Sequence, residues 1–483
     1  MKLERTTTGL IIHNPDDITK RKILQYFSLV NPVREFFIYS GNDRSKAPIF
    51  GREHDVVYIS SGFLNINDQY IRNLPRPSVI QPITPTRIEL TMNRQPRSKL
   101  QEDCISKMIN PDRKTNKLTI ELKPGTGKTF IATYAISKLQ LKPLIVAPTT
   151  LLKNQWCEEF CDVGIPRSDI ATDIYDGPNK KVCVVTISSI ENALRDDWEG
   201  LMRVVRQAAY GIKVVDEAHL HLKGNLKFDA ICNIPNNWYL SATLGRSDYQ
   251  EDNILNRALS DADRFVGNPQ YEEYQKQYVN VFFQDIYYYP STKLCMEHFR
   301  YGSKGLIKAT YYRMLMEYKQ GIPFLNNLIH MMKVAKKTTT YDGKILLLVP
   351  LISIIERVME IMKNDPFFAH YTFSGVDGSM PLSVRRQAME SDFILSTSLS
   401  MGTGVDVKNL AAVINFDQYS SPIIGEQIFG RLRDRGKETW YFDITDHVRQ
   451  ARMFESWGRK RHMLIPYYPG AHDHIKQLPD IRC

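Results

Sequence analysis

The sequence predicts an α/β protein: two tandem parallel-sheet lobes preceded by a small α+β domain. Three observations lead there. From about residue 88 short β-rich runs alternate with helical stretches, the rhythm of a parallel sheet covered by helices. A second series with the same rhythm starts near residue 343. A chain of 483 residues holds about three domains at roughly 150 residues each.

Residues 1–85 alternate aromatic-apolar runs (Leu10–Ile12, Phe36–Tyr39, Val56–Ile59) with Asn, Asp, Gly and Pro turns, and Ile18–Val30 reads as a helix. Leu74–Pro85 carries four prolines in twelve residues and reads as a stiff linker. In the first series the strands are expected at Leu118–Leu122, Pro143–Ala147, Lys181–Thr186, Lys213–Val215 and Trp238–Leu240. In the second they are expected at Lys344–Val349, Tyr371–Phe373, Phe393–Ser396, Ala412–Phe416 and Thr439–Asp443. The intervening stretch 250–342 is rich in Tyr and Lys and reads as helical after residue 292; its aromatic-basic interleaving suits either a helical core face, the preferred reading, or the stacking of nucleobases. No low-complexity tract or internal repeat is visible.

Composition excludes some classes. An apolar fraction of 43% and a charged fraction of 24% suit a globular protein with a real core. The longest apolar run, Ile345–Ile355, has eleven residues and contains Pro350; a bilayer needs about twenty, so no membrane partner is expected. Met1–Arg5 runs into the polar triplet Thr6–Thr8, so no secretory signal is read. The seven cysteines are scattered, with no second Cys or His pair at a zinc-like distance from Cys157 and Cys161. Reduced thiols in a cytoplasmic protein are the expectation. Lys and Arg outnumber Asp and Glu by 63 to 53, a net charge of +10 that favours a polyanionic partner.

Chemistry concentrates in two places. Leu122–Thr129 (LKPGTGKT) follows an apolar run and precedes an apolar helix, Phe130–Leu139. Gly125, Thr126 and Gly127 let backbone N–H groups turn in around a phosphate chain at a positive helix end. Lys128 then reaches the outer phosphates, and the Thr129 hydroxyl ligates Mg²⁺. The first Gly of the usual eight-residue loop is replaced by Leu122. Val214-Val215-Asp216-Glu217-Ala218-His219 ends another apolar run. Two adjacent carboxylates there can divide the work, Asp216 holding Mg²⁺ through its waters and Glu217 polarising an attacking water. Together the two motifs make hydrolysis of a nucleoside triphosphate with Mg²⁺ the expected chemistry.

With these motifs in this order, the chain resembles a DEAH-type superfamily-2 helicase or translocase over about residues 90 to 445. The resemblance implies RecA-like lobes at 86–248 and 249–448 that bind ATP in the cleft between them and nucleic acid across their tops. It also implies an accessory duplex-DNA-binding domain at 1–85, while the Arg and Lys of 449–462 mark a basic tail at 449–483 that suits either nucleic acid or plain solvated charge on a terminal helix. Gln101, in Pro96–Gln101, looks like the residue that reads adenine. Ser241-Ala242-Thr243 resembles the motif that couples hydrolysis to strand movement, acting through His219. Pro148-Thr149, Gln155-Trp156 and Thr186 fall where first-lobe strand contacts are expected. Gly402–Asp406 resembles the second-lobe motif that meets backbone and nucleotide, through Gly404 and Asp406, with Thr397 upstream. Gln427–Arg433 resembles the arginine-finger helix, with Gln427 and Arg431 in catalytic places. The usual spacing asks for a second Arg at 434, which is Asp. Arg433 fits a one-residue deletion, and Arg435 is the alternative.

The order of a small N-terminal domain and then a compact motor is similar to phage recombination helicases of the UvsW type. That similarity implies a monomeric motor on branched or forked DNA, duplex and single strand, in the cytoplasm of a bacterial host. Its expected reactions are Holliday-junction migration, fork regression, and D- or R-loop unwinding. The alternatives are an XPB-like duplex translocase, an RNA helicase, a restriction-type translocase, and a junction-binding protein without motor activity.

Overall fold

A computed structural model of the chain describes residues 1–19, 38–40, 56–62, 75–245, 249–275, 279–288, 301–302, 305–306, 308–317, 321–339, 342–378, 380–398, 400, 407–418, 425, 428–432, 438–448, 475–477 and 481–482. The chain forms two compact units, Met1–Tyr271 and Glu272–Cys483.

The first unit begins with β1 (Lys2–Arg5), β2 (Gly9–His13), β3 (Ile38–Ser40), β4 (Val56–Ser60) and β5 (Ser78–Val79), in the order β3-β4-β2-β1-β5. The pairs are antiparallel except β1 with β5. The expected linker therefore donates a short strand to this sheet. The helix expected over Ile18–Val30 lies outside the described residues beyond Thr19.

There follow α1 (Lys99–Ile109), β6 (Lys117–Glu121), α2 (Lys128–Leu139), β7 (Pro143–Ala147), α3 (Thr150–Asp162), β8 (Ile170–Ala171) and β9 (Val182–Thr186). Then come α4 (Ile187–Ala208), β10 (Ile212–Val215), α5 (Leu222–Ile231), β11 (Asn236–Ser241), α6 (Tyr249–Ala258) and β12 (Asp263–Val266). Seven strands line up as β12-β6-β11-β10-β7-β9-β8, every pair parallel. Helices cover both faces, so β7 and β9 are buried at every residue, which is why their sequences are unbroken apolar runs rather than alternating ones. The edge strand β12 lies beyond the boundary drawn at residue 248.

The N-terminal sheet is docked on this lobe. Thr6-Thr7-Thr8, polar in sequence, form the turn that meets the end of α5. Thr8 Oγ1 donates to Asp229 O at 2.9 Å, Thr6 Oγ1 to Cys232 O at 3.0 Å, and Asn233 Oδ1 accepts from Thr7 N at 3.1 Å. Two glycines allow the approach: a Cβ on Gly9 would sit 2.4 Å from Ala230 O, and one on Gly62 2.1 Å from Ala258 O. Lys117, at the first position of β6, is buried with Asp261 at 3.0 Å, Ser60 Oγ at 3.3 Å and Ala258 O at 3.2 Å. Asp261 also accepts from Arg5 at 3.0 Å and Ser61 Oγ at 2.9 Å.

The second unit contains the one-turn α7 (Glu272–Gln275), β13 (Val279–Tyr288), β14 (Tyr301–Gly302), β15 (Gly305–Leu306), α8 (Lys308–Glu317), α9 (Gly321–Thr338), β16 (Lys344–Val349) and α10 (Ile352–Asn364). After them come β17 (Phe373–Val376), α11 (Leu382–Ala388), β18 (Phe393–Thr397), β19 (Leu410–Asn415), β20 (Thr439–Val448), β21 (Ile475–Gln477) and β22 (Ile481–Arg482). Its sheet runs β17-β18-β16-β19-β20-β13-β21, again parallel, with β22 also paired to β13.

Before residue 292 the Tyr-rich stretch adds a strand that the sequence reading did not predict. Tyr287 and Tyr288 belong to β13, which pairs with β20 along ten residues and stacks Phe282 on Phe442 with ring centroids 5.0 Å apart. Tyr312 does follow the reading: it is buried on α8 against Phe324 of α9. The tail adds β21 and β22 to the sheet, while the basic stretch 449–462 lies outside the described residues. Among the described residues no helix is long and apolar enough to cross a membrane.

Candidate active site

The two chemical motifs meet at the C-terminal ends of β6 and β10. Gly125 and Gly127 have φ of +85° and +87°, the left-handed region in which a side chain is strained. They turn the chain from β6 into α2. The helices α1, α3 and α4 are closed at their starts by Ser98, Thr149 and Thr186, whose hydroxyls accept backbone N–H groups. α2 starts at Gly127 with no side chain closing it, so its first N–H groups stay available to an anion.

Lys128 projects over this turn. Its Nζ donates to Leu122 O at 3.2 Å and stands 3.8 Å from Glu217 Oε1. Thr129 follows it, half-buried. Gln101 is buried beneath the loop, accepting Arg97 N at 3.0 Å and donating to Thr126 O at 2.8 Å. Both ends of its amide are thus engaged on the loop and on the strap before α1. Arg97 adds a bond to Gly125 O at 3.0 Å, a contact the sequence did not flag.

Asp216 is buried. Its Oδ1 accepts Glu217 N at 3.0 Å, and its Oδ2 accepts the indole N–H of Trp156 at 2.9 Å. Burial pushes its pKa up to about 6, helped by the neighbouring Glu217 charge and opposed by the Trp156 hydrogen bond and Lys128. Glu217 holds a left-handed backbone, φ +46°, a conformation that costs a non-glycine residue about 1–3 kcal/mol and clusters at functional sites. Its Oε2 is buried, accepts no hydrogen bond and lies 3.5 Å from Nδ1 of His219.

His219 is buried with Nδ1 2.7 Å from Ser241 Oγ. Ser241 donates its own proton to Thr243 O and accepts from Thr243 N at 3.1 Å. The proton between His219 and Ser241 is therefore on Nδ1. The last residue of β11 and the segment after it are tied in this way to the Asp216–His219 turn.

Of the expected strand contacts, Pro148 is buried, and Thr149 and Thr186 use their hydroxyls as helix caps. Trp156 is buried within the lobe. In the second unit Thr397 ends β18 and bonds Ser400 Oγ at 2.8 Å. Arg431 N bonds Ile428 O at 3.2 Å. Gly404, Asp406, Gln427, Arg433 and Arg435 lie outside the described residues. Among the described residues no cluster of three or more His, Cys, Asp or Glu side chains stands ready for a metal ion. A Mg²⁺ that takes most of its oxygens from phosphate and water needs less from the protein. A buried carboxylate beside a phosphate loop meets that smaller demand, so Asp216 and Thr129 fit such an ion.

Comparisons with known proteins agree with this geometry. Residues 95–246 match the family model of the type III restriction enzyme res subunit, and residues 324–435 that of the helicase conserved C-terminal domain. A protein of African swine fever virus (isolate Pig/Kenya/KEN-50/1950), named as an ATP-dependent RNA helicase, is 29% identical over 189 residues, 35% of this chain and 34% of its own. The chain thus matches about a third of the length of this curated relative. The fold is similar to that of Saccharomyces cerevisiae Dbp5 bound to RNA and ADP BeF3, with TM-score 0.50 and 14% identity over 80% of this chain and 89% of that one. An alignment with T4 UvsW takes in 100% of this chain and 99% of that one, at TM-score 0.34 and 14% identity. The fold is that of two RecA-like lobes. With the two helicase domains together spanning more than half its length, the chain belongs to the superfamily-2 helicases, a family of ATP-hydrolysing enzymes.

Proposed function

We propose that this protein is an ATP-driven motor that acts as a monomer on branched or forked DNA, migrating junctions, regressing forks and unwinding D- or R-loops. The observation that carries the motor reading is the series of close approaches from Lys128 to Glu217 at 3.8 Å and from Glu217 to His219 at 3.5 Å, continued by hydrogen bonds from His219 to Ser241 and from Ser241 to Thr243 O.

Bound Mg²⁺·ATP supplies the phosphoanhydride bond and a divalent charge. The chain's own residues do the rest. Lys128 exchanges Leu122 O for phosphate oxygen, and the uncapped start of α2 receives phosphate charge. Asp216 and Thr129 would hold the metal, which would place a divalent charge beside the phosphates. Glu217 Oε2 accepts a hydrogen bond from the attacking water and then its proton. As Glu217 gains that proton its pull on His219 weakens, and the change passes to Ser241 and Thr243. Gln427, Arg431 and Arg433, or Arg435, keep the charge-stabilising roles that the resemblance implies, and Gly404, Asp406 and Thr397 keep theirs.

Branched DNA is supported by the net charge of +10 and by an N-terminal sheet docked on the motor's first lobe. The names of the viral relative and of the RNA-bound Dbp5 complex favour a second reading, RNA strand separation. Strand separation on a Holliday junction, a fork, tailed DNA duplexes and an RNA duplex, at one salt concentration, tests them. The DNA reading expects ATP-dependent processing of junction and fork, lost in Lys128→Ala by on the order of 10³-fold while DNA binding stays within about threefold, because phosphate contacts are many. Activity confined to RNA selects the second reading.

A further inference from the structure

α3 starts at the Thr149 cap and turns Trp156, Cys157 and Phe160 into the lobe. Trp156 is 1% exposed and packs against Phe160 with ring centroids 6.2 Å apart. An indole has one N–H and no acceptor, so burying it without an acceptor costs free energy. The acceptor here is Oδ2 of Asp216, sixty residues away in the chain, at 2.9 Å. The other carboxylate oxygen is held by Glu217 N at 3.0 Å. One donor on each oxygen fixes the carboxylate against rotation about its χ2.

The character of the donor matters as much as its place. A lysine or arginine at this position would also orient Asp216, but it would cancel the negative charge that a divalent cation requires. An indole N–H orients the carboxylate and leaves that charge in place. Asp216 lies near enough to Lys128 of the phosphate loop for the two charges to interact.

We propose that Trp156 is a positioning residue for metal-bound nucleotide, its N–H holding Asp216 in the orientation that receives the Mg²⁺ water shell. The inference rests on the nucleotide-site reading above and adds a specific claim to it: Trp156 acts on the metal-dependent part of nucleotide affinity and leaves the metal-independent part alone. Partners that orient a metal-binding group typically change metal affinity by roughly 10- to 100-fold when removed.

The test is equilibrium binding of a fluorescent ATP analogue to the full chain, once with a Mg²⁺ titration and once in EDTA. Two variants are compared with the parent: Trp156→Phe, and a site-specific replacement of Trp156 by 3-benzothienylalanine, which keeps the bicyclic shape and removes the N–H. The second keeps the comparison valid if the smaller Phe leaves a cavity that loosens the lobe. In both, the Mg²⁺ concentration for half-maximal tightening is expected to rise about 10-fold, while affinity in EDTA stays within about twofold. An unchanged Mg²⁺ requirement in the benzothienyl variant overturns the proposal. So does an equal loss of affinity with and without Mg²⁺, which would mean that Trp156 only supports the lobe. A parent protein that binds the analogue no better with Mg²⁺ than in EDTA, or no better than Lys128→Ala, instead overturns the nucleotide-site reading itself, and this inference with it.

Discussion

The two ends of the first lobe's sheet both bury charge, and they use it differently. At the N-terminal ends of β6 and β10 lie Lys117 and Lys213, each fully buried and each paired. Lys117 has Asp261, Ser60 and a carbonyl around its ammonium. Lys213 bonds Asp229, whose second oxygen accepts the Tyr239 hydroxyl at 2.9 Å. At the C-terminal ends of the same two strands lie Lys128, Asp216 and Glu217. There the cation is 3.8 Å from its nearest carboxylate, and Glu217 Oε2 is buried with no hydrogen bond. Buried charge that meets its partners holds parts together, and here it holds the N-terminal sheet to the motor lobe. Buried charge without full partners is a demand for a ligand, because desolvation has been incurred and Coulomb attraction has not yet repaid it.

Removing the N-terminal sheet is expected to have the largest effect. Deletion of residues 1–85 strips Arg5, Ser60 and Ser61 from Asp261 and Lys117, and the Thr6–Thr8 turn from the end of α5. The truncated protein is expected to lose soluble folded first lobe, seen as aggregation and as loss of the cooperative melt. A truncated protein that melts like the parent would make the docking contacts dispensable and break the comparison at its structural end.

A milder cut separates the two ends. Lys213→Met leaves Asp229 buried without its cation and is expected to lower stability by about 3–5 kcal/mol in denaturant unfolding. Adding Asp229→Asn should recover much of that, since an amide still accepts from Tyr239 and carries no charge. In the folded fraction the KM for ATP should change by less than about twofold, because among the described residues no hydrogen bond or ion pair joins this pair to the phosphate loop. A KM that moves along with stability would show that the two ends are one system.

The smallest expected effect sharpens the ligand-seeking end. The pKa of Asp216 is pushed up to about 6, mainly by burial. The folded state therefore binds this proton more tightly than the unfolded chain does, and ionisation disfavours the fold. That penalty is absent below about pH 4, grows as pH rises to about 6, and is constant above. Asp216→Asn carries no such penalty. Without nucleotide or Mg²⁺, its melting temperature relative to the parent should rise by a few degrees between pH 4 and 6 and then level off. A difference independent of pH would mean that Asp216 ionises as easily folded as unfolded.

Most strands of the two parallel sheets were legible, since a strand covered on both faces must be a short apolar run wherever it occurs. The phosphate loop and Asp216–His219 were legible for a related reason: each does its work with consecutive residues. Other features were not. β13 was missed because its run, VNVFFQDIYY, lacks the clean alternation or unbroken apolar character that marks a strand. β5 was hidden among prolines, and β12 is four residues with exposed positions. Thr6–Thr8 looked like polar chain because nothing in a Thr triplet names the carbonyls it will meet. Trp156 was placed among the strand contacts by its motif, and nothing along the chain named Asp216 as the acceptor of its N–H.

Sequence alone thus specified the sheets and the contiguous chemical motifs, where function follows from neighbours along the chain. Which charges are answered and which are left waiting was decided only on folding. Lys117 and Asp261, Lys213 and Asp229, Trp156 and Asp216 are pairs of residues far from one another in the chain. The period of a strand or helix records which face is buried, but carries no information about which distant acceptor that face will find.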